Sequence, residues 1–208
     1  MQKELLINLW KGQGIDSKVI DAFLRVPREF FVAPDFYRQA YDDIPLPTIR
    51  DQSLSQPTTV MLMTHALKVE KGHKILEVGS GVGYQASILS RLVEEGKVVT
   101  TETIPELVSI AKRNLLQLGC SNTLVIETDG SRGVEEEAPF DRVMITCACP
   151  KIPEPIIEQT KDGGIIIAPV GDKASQTLVR ATKIGKRLDL EFLGPFNFVP
   201  MQGKYGFE

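Results

Sequence analysis

The fold of this chain is decided by the stretch Lys74-Ile75-Leu76-Glu77-Val78-Gly79-Ser80-Gly81-Val82-Gly83-Tyr84. An apolar run leads into an acidic residue, three glycines follow at alternate positions, and a helical pattern begins at Tyr84. Glycine is needed where the backbone takes a positive φ or lies directly against a ligand. A helix that begins beyond such a turn offers unpaired N–H groups. The stretch therefore predicts a buried strand that turns sharply into a helix beside a bound molecule.

The glycine loop by itself fits either a dinucleotide or a nucleoside ligand. The dinucleotide fingerprint has a glycine or alanine at the sixth position of the run that starts at Gly79, and this chain has Tyr84 there. Glu77 stands just before the glycines, where its charge would repel a pyrophosphate but not a cationic or hydroxyl-rich ligand. We therefore predict S-adenosylmethionine rather than a nicotinamide cofactor.

Strand-like and helix-like segments alternate after residue 57. Candidate strands cover 74–78, 97–101, 123–127, 141–146 and 164–169, and candidate helices cover 84–93, 105–118 and 153–161. Such alternation is typical of βαβ units and a parallel sheet. Two further strand-like runs, 176–184 and 187–193, meet at Gly185-Lys186 and predict an antiparallel hairpin. The predicted class is α/β: a three-layer Rossmann-like methyltransferase fold with a mostly parallel sheet, a C-terminal antiparallel hairpin and an N-terminal helical extension.

The extension covers residues 1–57 and precedes a methyltransferase domain over 58–208. Its first predicted helix places four apolar side chains at helical spacing, Leu5, Leu6, Leu9 and Trp10. A second helix, capped by Asp16 or Ser17, has an apolar side made of Val19, Ile20, Phe23 and Leu24. Residues 28–58 are rich in proline and aromatic residues without a clear period, and a long irregular stretch in a compact domain tends to be functional. A third helix is predicted from Pro57.

Polar residues follow the predicted strands at one edge of the sheet. Glu102 ends the second strand, 19 residues past Gly83, and Asp129-Gly130 follows the third. A carboxylate at the position of Glu102 can accept the ribose hydroxyls, and Asp129 could accept a hydrogen bond from an adenine amino group beside Gly130. Taken singly, an acidic strand end and an Asp-Gly turn are common structural features. Their order along three successive strands predicts a nucleoside-cofactor site, with Thr146 at its mouth.

Composition excludes several other classes of protein. The 208 residues carry a net charge of −3, which gives no basic footprint for nucleic acid, and no apolar run is long enough to span a bilayer. The N-terminus lacks the apolar core of a signal peptide, and an odd number of cysteines, three, does not suggest a disulfide framework, so we expect a cytoplasmic protein. Neither His65 nor His73 has neighbours at metal-ligand spacing, so no metal site is predicted.

Several blocks of the sequence occur together in one known family. They include 26–32 (Val-Pro-Arg-Glu-Phe-Phe-Val), 41–47 (Tyr-Asp-Asp-Ile-Pro-Leu-Pro), 53–57 (Ser-Leu-Ser-Gln-Pro), the glycine loop, Asp129-Gly130, 136–141, 163–164 with 169–171, and 198–200. Together they resemble the protein-L-isoaspartate (D-aspartate) O-methyltransferase family over nearly the whole chain. The block at 53–57 is far more specific than the glycine loop, which many methyltransferases share.

The resemblance implies roles for individual residues. Ser55 matches the serine treated as the active-site residue of the family, although two residues before Pro57 it could instead belong to a helix cap. The positions that match cofactor contacts are Gln52, Ser53 and Leu54 in a strip over cofactor and substrate, Glu77, Gly79, Ser80, Gly81 and Gly83 in the methionine and ribose cradle, Glu102 at the ribose, Asp129 and Gly130 at the adenine, and Gln202.

The implied reaction transfers a methyl group from S-adenosylmethionine to the free carboxylate of L-isoaspartyl residues in damaged proteins and peptides. It leaves S-adenosylhomocysteine and starts repair through a succinimide. The partners would be isoaspartyl-containing proteins and peptides, with no nucleic acid or membrane, and a monomer is favoured.

The sequence departs from the family pattern in the loop before Ser55. The family usually has Gly-x-Gly-Gln-Thr, whereas this chain has Ile49-Arg50-Asp51-Gln52-Ser53. Without the glycines, we expect positive φ angles to be costly in this loop. Two alternatives therefore stay open: a methyltransferase of the same fold that acts on another carboxylate or a small molecule, and a non-catalytic cofactor-binding module.

Overall fold

A computed structural model of the chain describes residues 2–207. The helices are α1 (Gln2–Gly12), α2 (Ser17–Leu24), α3 (Pro57–Ala66), α4 (Tyr84–Val93), α5 (Pro105–Gln117) and α6 (Glu154–Gln159). The strands are β1 (Leu46–Pro47), β2 (Ser53–Leu54), β3 (Lys74–Val78), β4 (Lys97–Glu102), β5 (Thr123–Glu127), β6 (Phe140–Ile145), β7 (Thr160–Gly171), β8 (Gln176–Ile184) and β9 (Arg187–Phe196).

The main sheet has seven strands in the order β5-β4-β3-β6-β7-β8-β9. Strands β3 to β7 pair in parallel, and β8 pairs antiparallel with both β7 and β9. The chain runs outward from β3 to β5 and then returns to the other side of β3 with β6. Ligands of open α/β sheets bind beyond the carboxyl ends of the strands at such a reversal. The topology therefore places the site beyond the carboxyl ends of β3, β4 and β6.

Alternate residues of the central strands enter two different apolar clusters. Ile75 and Val98 pack with the residues of helices α1 to α5 on one face. Leu76 and Val99 pack on the other face, in a cluster that includes Ile156 of α6. Because successive side chains of a strand point to opposite faces, the two clusters identify the two outer layers of a three-layer fold.

The predicted elements agree with the structure except at some boundaries and faces. The strands at 74–78 and 123–127 and the helix at 84–93 have the predicted bounds, and the hairpin turns at Gly185 as predicted. The predicted helix at 153–161 was too long, because residues 160–161 already belong to β7 and Thr160 pairs with Phe140. The irregular stretch holds two short 3-10 helices, Arg28–Phe31 and Pro34–Gln39, and the two-residue strands β1 and β2.

The apolar faces predicted for the first two helices were too wide. Leu6 and Trp10 of α1 are buried, but Leu5 and Leu9 are exposed, and so is Leu24 of α2. Asp16 occupies the N-cap position of α2, yet its side chain makes no capping hydrogen bond. Each short helix therefore presents only a narrow stripe to the core.

The N-terminal extension shares its core with the rest of the chain. The buried ring of Trp10 packs edge-on against Phe23 with 4.8 Å between ring centroids, and its Nε1 donates a 2.9 Å hydrogen bond to Oγ1 of Thr58. That hydroxyl donates to the carboxylate of Asp43 (2.6 Å), which also accepts the backbone N–H of Thr58 (2.8 Å). Asp43 thus caps α3 from the preceding loop. The division at residue 57 separates sequence segments, while the apolar core continues across it.

This shared core predicts the effect of removing Trp10. We expect Trp10→Ala to lower the free energy of unfolding by about 3–5 kcal/mol, because it empties a fully buried site and leaves Thr58 without its donor. Urea unfolding followed by circular dichroism measures the loss. It should remain a single transition; a second, separate transition for the N-terminal segment would contradict a common core.

Candidate cofactor and acceptor site

A cleft of about 650 Å³ opens at the carboxyl ends of β3, β4 and β6, and we call it the donor cleft. Residues from separate parts of the chain line it: Gln52, Ser53, Val78, Gly79, Gly81, Thr101, Glu102, Thr103, Ile104, Leu107, Thr128, Gly130, Thr146, Cys147, Val199, Pro200, Met201 and Gln202. Seven of the predicted cofactor residues therefore meet here: Gln52, Ser53, Gly79, Gly81, Glu102, Gly130 and, from the C-terminal segment, Gln202.

Glu102 organises the floor of the donor cleft. One of its carboxylate oxygens accepts the N–H of Gly81 (2.9 Å), and the other accepts the N–H groups of Thr103 (2.8 Å) and Ile104 (3.1 Å). A carboxylate has about four lone-pair directions, so these three bonds leave roughly one for a ligand. Glu102 thus holds the glycine loop against the end of β4 and still faces the cleft.

The three glycines of the loop have different reasons to lack a side chain. All three have positive φ: 98° at Gly79, 51° at Gly81 and 90° at Gly83. A Cβ on Gly79 would lie 2.5 Å from Oγ1 of Thr146, whereas one on Gly81 would meet nothing within 4 Å and would project into open space. Gly83 lines neither this cleft nor its neighbour; it is the N-cap of α4 and packs against Ala111 of α5. Gly81 is therefore the glycine that keeps room for a ligand.

A second, smaller cleft of about 500 Å³ adjoins the first, and we call it the acceptor cleft. Its lining residues are Ser53, Leu54, Ser55, Val60, Met63, Gly79, Ser80, Gly81, Val82, Tyr84, Gln85 and Thr146. Ser53, Gly79, Gly81 and Thr146 line both clefts. The hydroxyl of Ser80 is buried and has no hydrogen-bond partner within residues 2–207, so it is available to a bound group. Ser55 therefore faces a different cavity from Glu102, across a shared wall.

Ser55 does not cap the helix that follows it. Gln56 holds the N-cap position of α3, and no side chain caps the helix from that position. Asp43 accepts the free N–H of Thr58 instead. The capping alternative for Ser55 therefore loses its support.

Glu77 lies beneath the glycine loop rather than in either cleft. It is fully buried, and one carboxylate oxygen accepts the hydroxyl of Thr100 while the other has no partner in the described chain. Burial raises the pKa of Glu77 to about 8, the hydrogen bond from Thr100 opposes that rise, and the charge of Glu102 adds to it. A group that is largely protonated at neutral pH cannot repel a pyrophosphate, so this part of the case against a dinucleotide does not hold.

Asp129 is engaged by the protein rather than directed into the donor cleft. Its carboxylate accepts the N–H (3.0 Å) and hydroxyl (2.6 Å) of Ser131 and the N–H of Lys204 (2.9 Å). Burial acts to raise the pKa of Asp129, but these hydrogen bonds outweigh it and lower the pKa. A Cβ on Gly203 would lie 2.0 Å from this carboxylate. Asp129 thus fastens the C-terminal segment that brings Met201 and Gln202 to the cleft.

The loop before Ser55 takes a conformation that glycine would favour. Gln52 N–H donates to the carbonyl of Ile49 (3.2 Å), and φ is 56° at Arg50 and 57° at Asp51, as in a type I′ turn. The loop therefore takes positive φ angles in spite of the cost expected without glycine. Arg50 also forms an ion pair with Glu106 in the first turn of α5, with Nε 3.1 Å from the carboxylate. The ion pair joins the loop that leads to Gln52 and Ser53 to the helix that carries Leu107, and these three residues line the donor cleft.

Sequence reasoning missed some of the lining residues. Thr103 and Ile104 directly follow Glu102, so a search beyond the end of the second strand could have found them. Tyr84 and Gln85 were assigned to a helix without a role, because nothing in a single sequence shows that its first turn faces a cavity. Cys147 also lines the donor cleft, and burial raises the pKa of its thiol far above the ordinary range, so it is no ready nucleophile.

Comparisons with known proteins agree with one another. The sequence model of the family described as Protein-L-isoaspartate(D-aspartate) O-methyltransferase (PCMT) matches residues 1–206. The chain belongs to this family. It is 44% identical over 204 residues to a protein-L-isoaspartate O-methyltransferase of Methanococcoides burtonii, covering 97% of this chain and 100% of the relative. It is 42% identical over 208 residues to that of Dictyoglomus thermophilum, covering 100% of this chain and 94% of the relative.

Solved structures of the family have the same fold. A protein-L-isoaspartate O-methyltransferase superposes with a TM-score of 0.91 at 32% identity, over 98% of this chain and 67% of the other. A chain from Plasmodium falciparum superposes with a TM-score of 0.82 at 23% identity, over 97% and 98%, which supports the fold alone. The predicted family, O-methyltransferase class and Rossmann-like fold are thereby confirmed. The roles of individual residues stay predictions.

The buried carboxyl of Glu77 predicts a pH-dependent stability for this O-methyltransferase. Its raised pKa means that the folded state binds the proton more tightly, so stability falls as the pH rises from about 4.5 towards 8. We expect Glu77→Gln, which is neutral at every pH, to gain stability relative to the wild type by about 1–3 kcal/mol between pH 5 and pH 8. Denaturant midpoints across this range measure the gain. If the difference in stability between Glu77→Gln and the wild type were the same at every pH, a protonated Glu77 in the folded state would be contradicted.

The ion pair beside the donor cleft predicts an effect on ligand exchange. Both side chains are exposed, so the effect should be small and screened by salt. We expect Arg50→Ala and Glu106→Ala each to speed release of S-adenosylhomocysteine by up to about threefold, with no further gain in the double variant. Displacement kinetics at low and high salt measure the release rate. If the effects of the two single variants added up in the double variant, the two residues would act separately.

Proposed function

We propose that this chain transfers the methyl group of S-adenosylmethionine to the free carboxylate of L-isoaspartyl residues in damaged proteins and peptides. Methyl transfer would make an ester that closes to a succinimide, whose hydrolysis returns part of the material to the normal aspartyl linkage. Relatives that are 42–44% identical to this chain are named protein-L-isoaspartate O-methyltransferase, and the similarity covers 94–100% of their length.

The observation that carries the proposal is the pair of clefts on either side of the glycine loop. The donor cleft offers the Glu102 carboxylate and the bare backbone of Gly81, which suit a nucleoside. The acceptor cleft offers the hydroxyls of Ser55 and Ser80. Because the clefts share the wall of Ser53, Gly79, Gly81 and Thr146, a donor and an acceptor would be held side by side.

The chemistry of the acceptor cleft suits a carboxylate nucleophile. An isoaspartyl carboxyl group with a pKa near ~3.9 is ionised at neutral pH and needs no general base. No residue that lines the acceptor cleft in the described chain is acidic, so none would repel the acceptor. Positioning two reactants at attacking distance can by itself contribute about 7–11 kcal/mol. Ser55 would therefore orient the acceptor by hydrogen bonding.

The residues of the donor cleft support S-adenosylmethionine as the methyl donor. When bound, it supplies an electrophilic methyl group on a sulfonium. Glu102 would accept a ribose hydroxyl with its remaining lone pair, and Gly130 would leave room for the base. The solved structure from Plasmodium falciparum is a complex with S-adenosyl-L-homocysteine.

The proposed partners are isoaspartyl-containing proteins and peptides, and the proposed compartment is the cytoplasm. All three cysteines are free, which suits a reducing compartment. No helix within residues 2–207 is long and apolar enough to cross a membrane.

A pair of matched peptides tests the reaction. One contains an L-isoaspartyl linkage and the other a normal aspartyl linkage at the same position, and both are incubated with methyl-labelled S-adenosylmethionine. We expect base-labile label on the isoaspartyl peptide alone. Label on neither peptide, with cofactor binding intact, would overturn the proposal and favour a non-catalytic module; transfer to a different acceptor would favour the other alternative.

Ser55→Ala tests the role of the acceptor cleft. Loss of one hydrogen bond to a charged group should lower kcat/KM for the isoaspartyl peptide by about tenfold to a hundredfold. Affinity for S-adenosylhomocysteine should stay within about twofold, because Ser55 lies outside the donor cleft. Ser175→Ala, on an exposed loop, is the matched control. An unchanged kcat/KM for Ser55→Ala would remove this role.

A further inference from the structure

The 3-10 helix Arg28–Phe31 contains an arginine that is completely buried. Its exposed fraction is 0%, and burial lowers the pKa of the guanidinium. Arginine is nevertheless protonated in proteins, so this side chain brings a full positive charge into the interior. A buried charge is costly unless it is paired and hydrogen-bonded.

The charge of Arg28 has no counter-ion within residues 2–207. Among these residues, no carboxylate lies within 4 Å of its nitrogens, and the side chain that acts as its hydrogen-bond partner is the uncharged hydroxyl of Tyr84. Asp43 is the carboxylate whose charge raises the pKa of Arg28, and it is already bound to Thr58. The neighbouring Glu29 accepts the hydroxyl of Tyr41. Within the described residues, no carboxylate beside the guanidinium therefore neutralises its positive charge.

A wall residue of the acceptor cleft covers this cation. The guanidinium carbon stands 5.1 Å from the ring centroid of Tyr84. Tyr84 begins α4 and lines the acceptor cleft together with Ser55 and Ser80. One aromatic ring therefore separates an unpaired cation from the cavity proposed for an anion.

The physical consequence follows from the low dielectric between them. A charge that is screened neither by water nor by a counter-ion acts over longer distances than a surface charge. It stabilises a carboxylate in the cleft, and it destabilises a sulfonium nearby relative to the uncharged thioether left after methyl transfer. The first effect favours binding of an anionic acceptor. The second favours conversion of the cationic sulfonium into the uncharged thioether.

We propose that Arg28 is a positioning residue of the acceptor cleft, whose unpaired charge behind Tyr84 selects an anionic acceptor and disfavours the sulfonium donor relative to its thioether product. This rests on the proposed methyl transfer. Arg28 touches neither reactant and acts through the field across Tyr84.

The test compares affinities for two ligands that differ by one unit of charge at sulfur. Titration calorimetry on the full chain gives Kd for S-adenosylmethionine and S-adenosylhomocysteine. We expect Arg28→Met to lower the ratio Kd(S-adenosylmethionine)/Kd(S-adenosylhomocysteine) by about threefold to tenfold. It should also raise KM for the isoaspartyl peptide by a similar factor, with a smaller change in kcat. Arg28→Lys keeps the charge and should retain the wild-type ratio.

A purely structural arginine would behave differently. Replacing an unpaired buried ion by an apolar side chain of similar length is often neutral or stabilising, so the thermal midpoint of Arg28→Met should not fall. A lower midpoint with an unchanged ratio would overturn the proposal and make Arg28 a packing residue. Arg38→Gln, which removes an exposed arginine of the adjacent 3-10 helix, is the matched control and should leave both quantities unchanged.

A second pair of variants keeps the proposal testable if Arg28→Met does not fold. Asp43→Asn removes the carboxylate whose charge acts on the guanidinium and should shift the ratio in the opposite direction, against the sulfonium. Asp42→Asn, at the neighbouring position, is its control and should leave the ratio unchanged. Equal shifts in the two variants, or none in Asp43→Asn, would contradict a field centred on Arg28. Because these are binding measurements, they are independent of the peptide assay, whose failure would instead count against the proposed function.

Discussion

The site depends on the hydrogen bond between the Glu102 carboxylate and the N–H of Gly81. Glu102 ends β4, whereas Gly81 lies in the loop after β3, so the bond joins two parallel strands at their carboxyl ends. The N–H groups of Gly79 and Ser80 add to it by donating to the carbonyl of Thr101 (both 2.9 Å). Together these bonds hold a loop of positive φ angles in one conformation. The loop can then serve as the shared wall of two cavities, because its two sides are set by the same few contacts.

Beneath that wall lie two ionisable groups that the apolar core tolerates poorly. Glu77 is buried under the donor side and avoids the cost by keeping its proton, as its raised pKa indicates. Arg28 is buried behind the acceptor side and has no such escape, because a guanidinium does not lose its proton under ordinary conditions. The interior is therefore neutral below the donor cleft and positive behind the acceptor cleft. This asymmetry suits the proposed reaction, in which a cationic donor and an anionic acceptor would bind on opposite sides of one loop.

Much of the fold follows from the sequence, because period and turn chemistry act locally. The glycine loop and the run before it specify β3 and the start of α4, and the Gly185 turn specifies the hairpin. The faces of α1 and α2 were predicted less well, since Leu5 and Leu9 have the spacing of a core stripe but no element packs over them. Within the site, Glu102 and Gly81 could be placed by strand ends alone. The hydrogen bond of Asp129 with Lys204 could not, because it depends on a segment 75 residues away in sequence that returns to the cleft.

The loop at 49–52 takes positive φ angles although it lacks the glycines of the family pattern. Arg50 and Asp51 adopt the positive φ angles that a type I′ turn requires, even though such angles are unfavourable for side chains other than glycine, asparagine and aspartate. The turn is held by its own hydrogen bonds, with Thr48 N–H donating to the carbonyl of Gln52 (2.8 Å), and by the register of β1 with β2. Because the hairpin fixes the position of Ser53 and Leu54, it also directs the path of the chain towards Ser55. The loop therefore presents an ion pair with Glu106 beside the donor cleft, where glycine residues would present bare backbone.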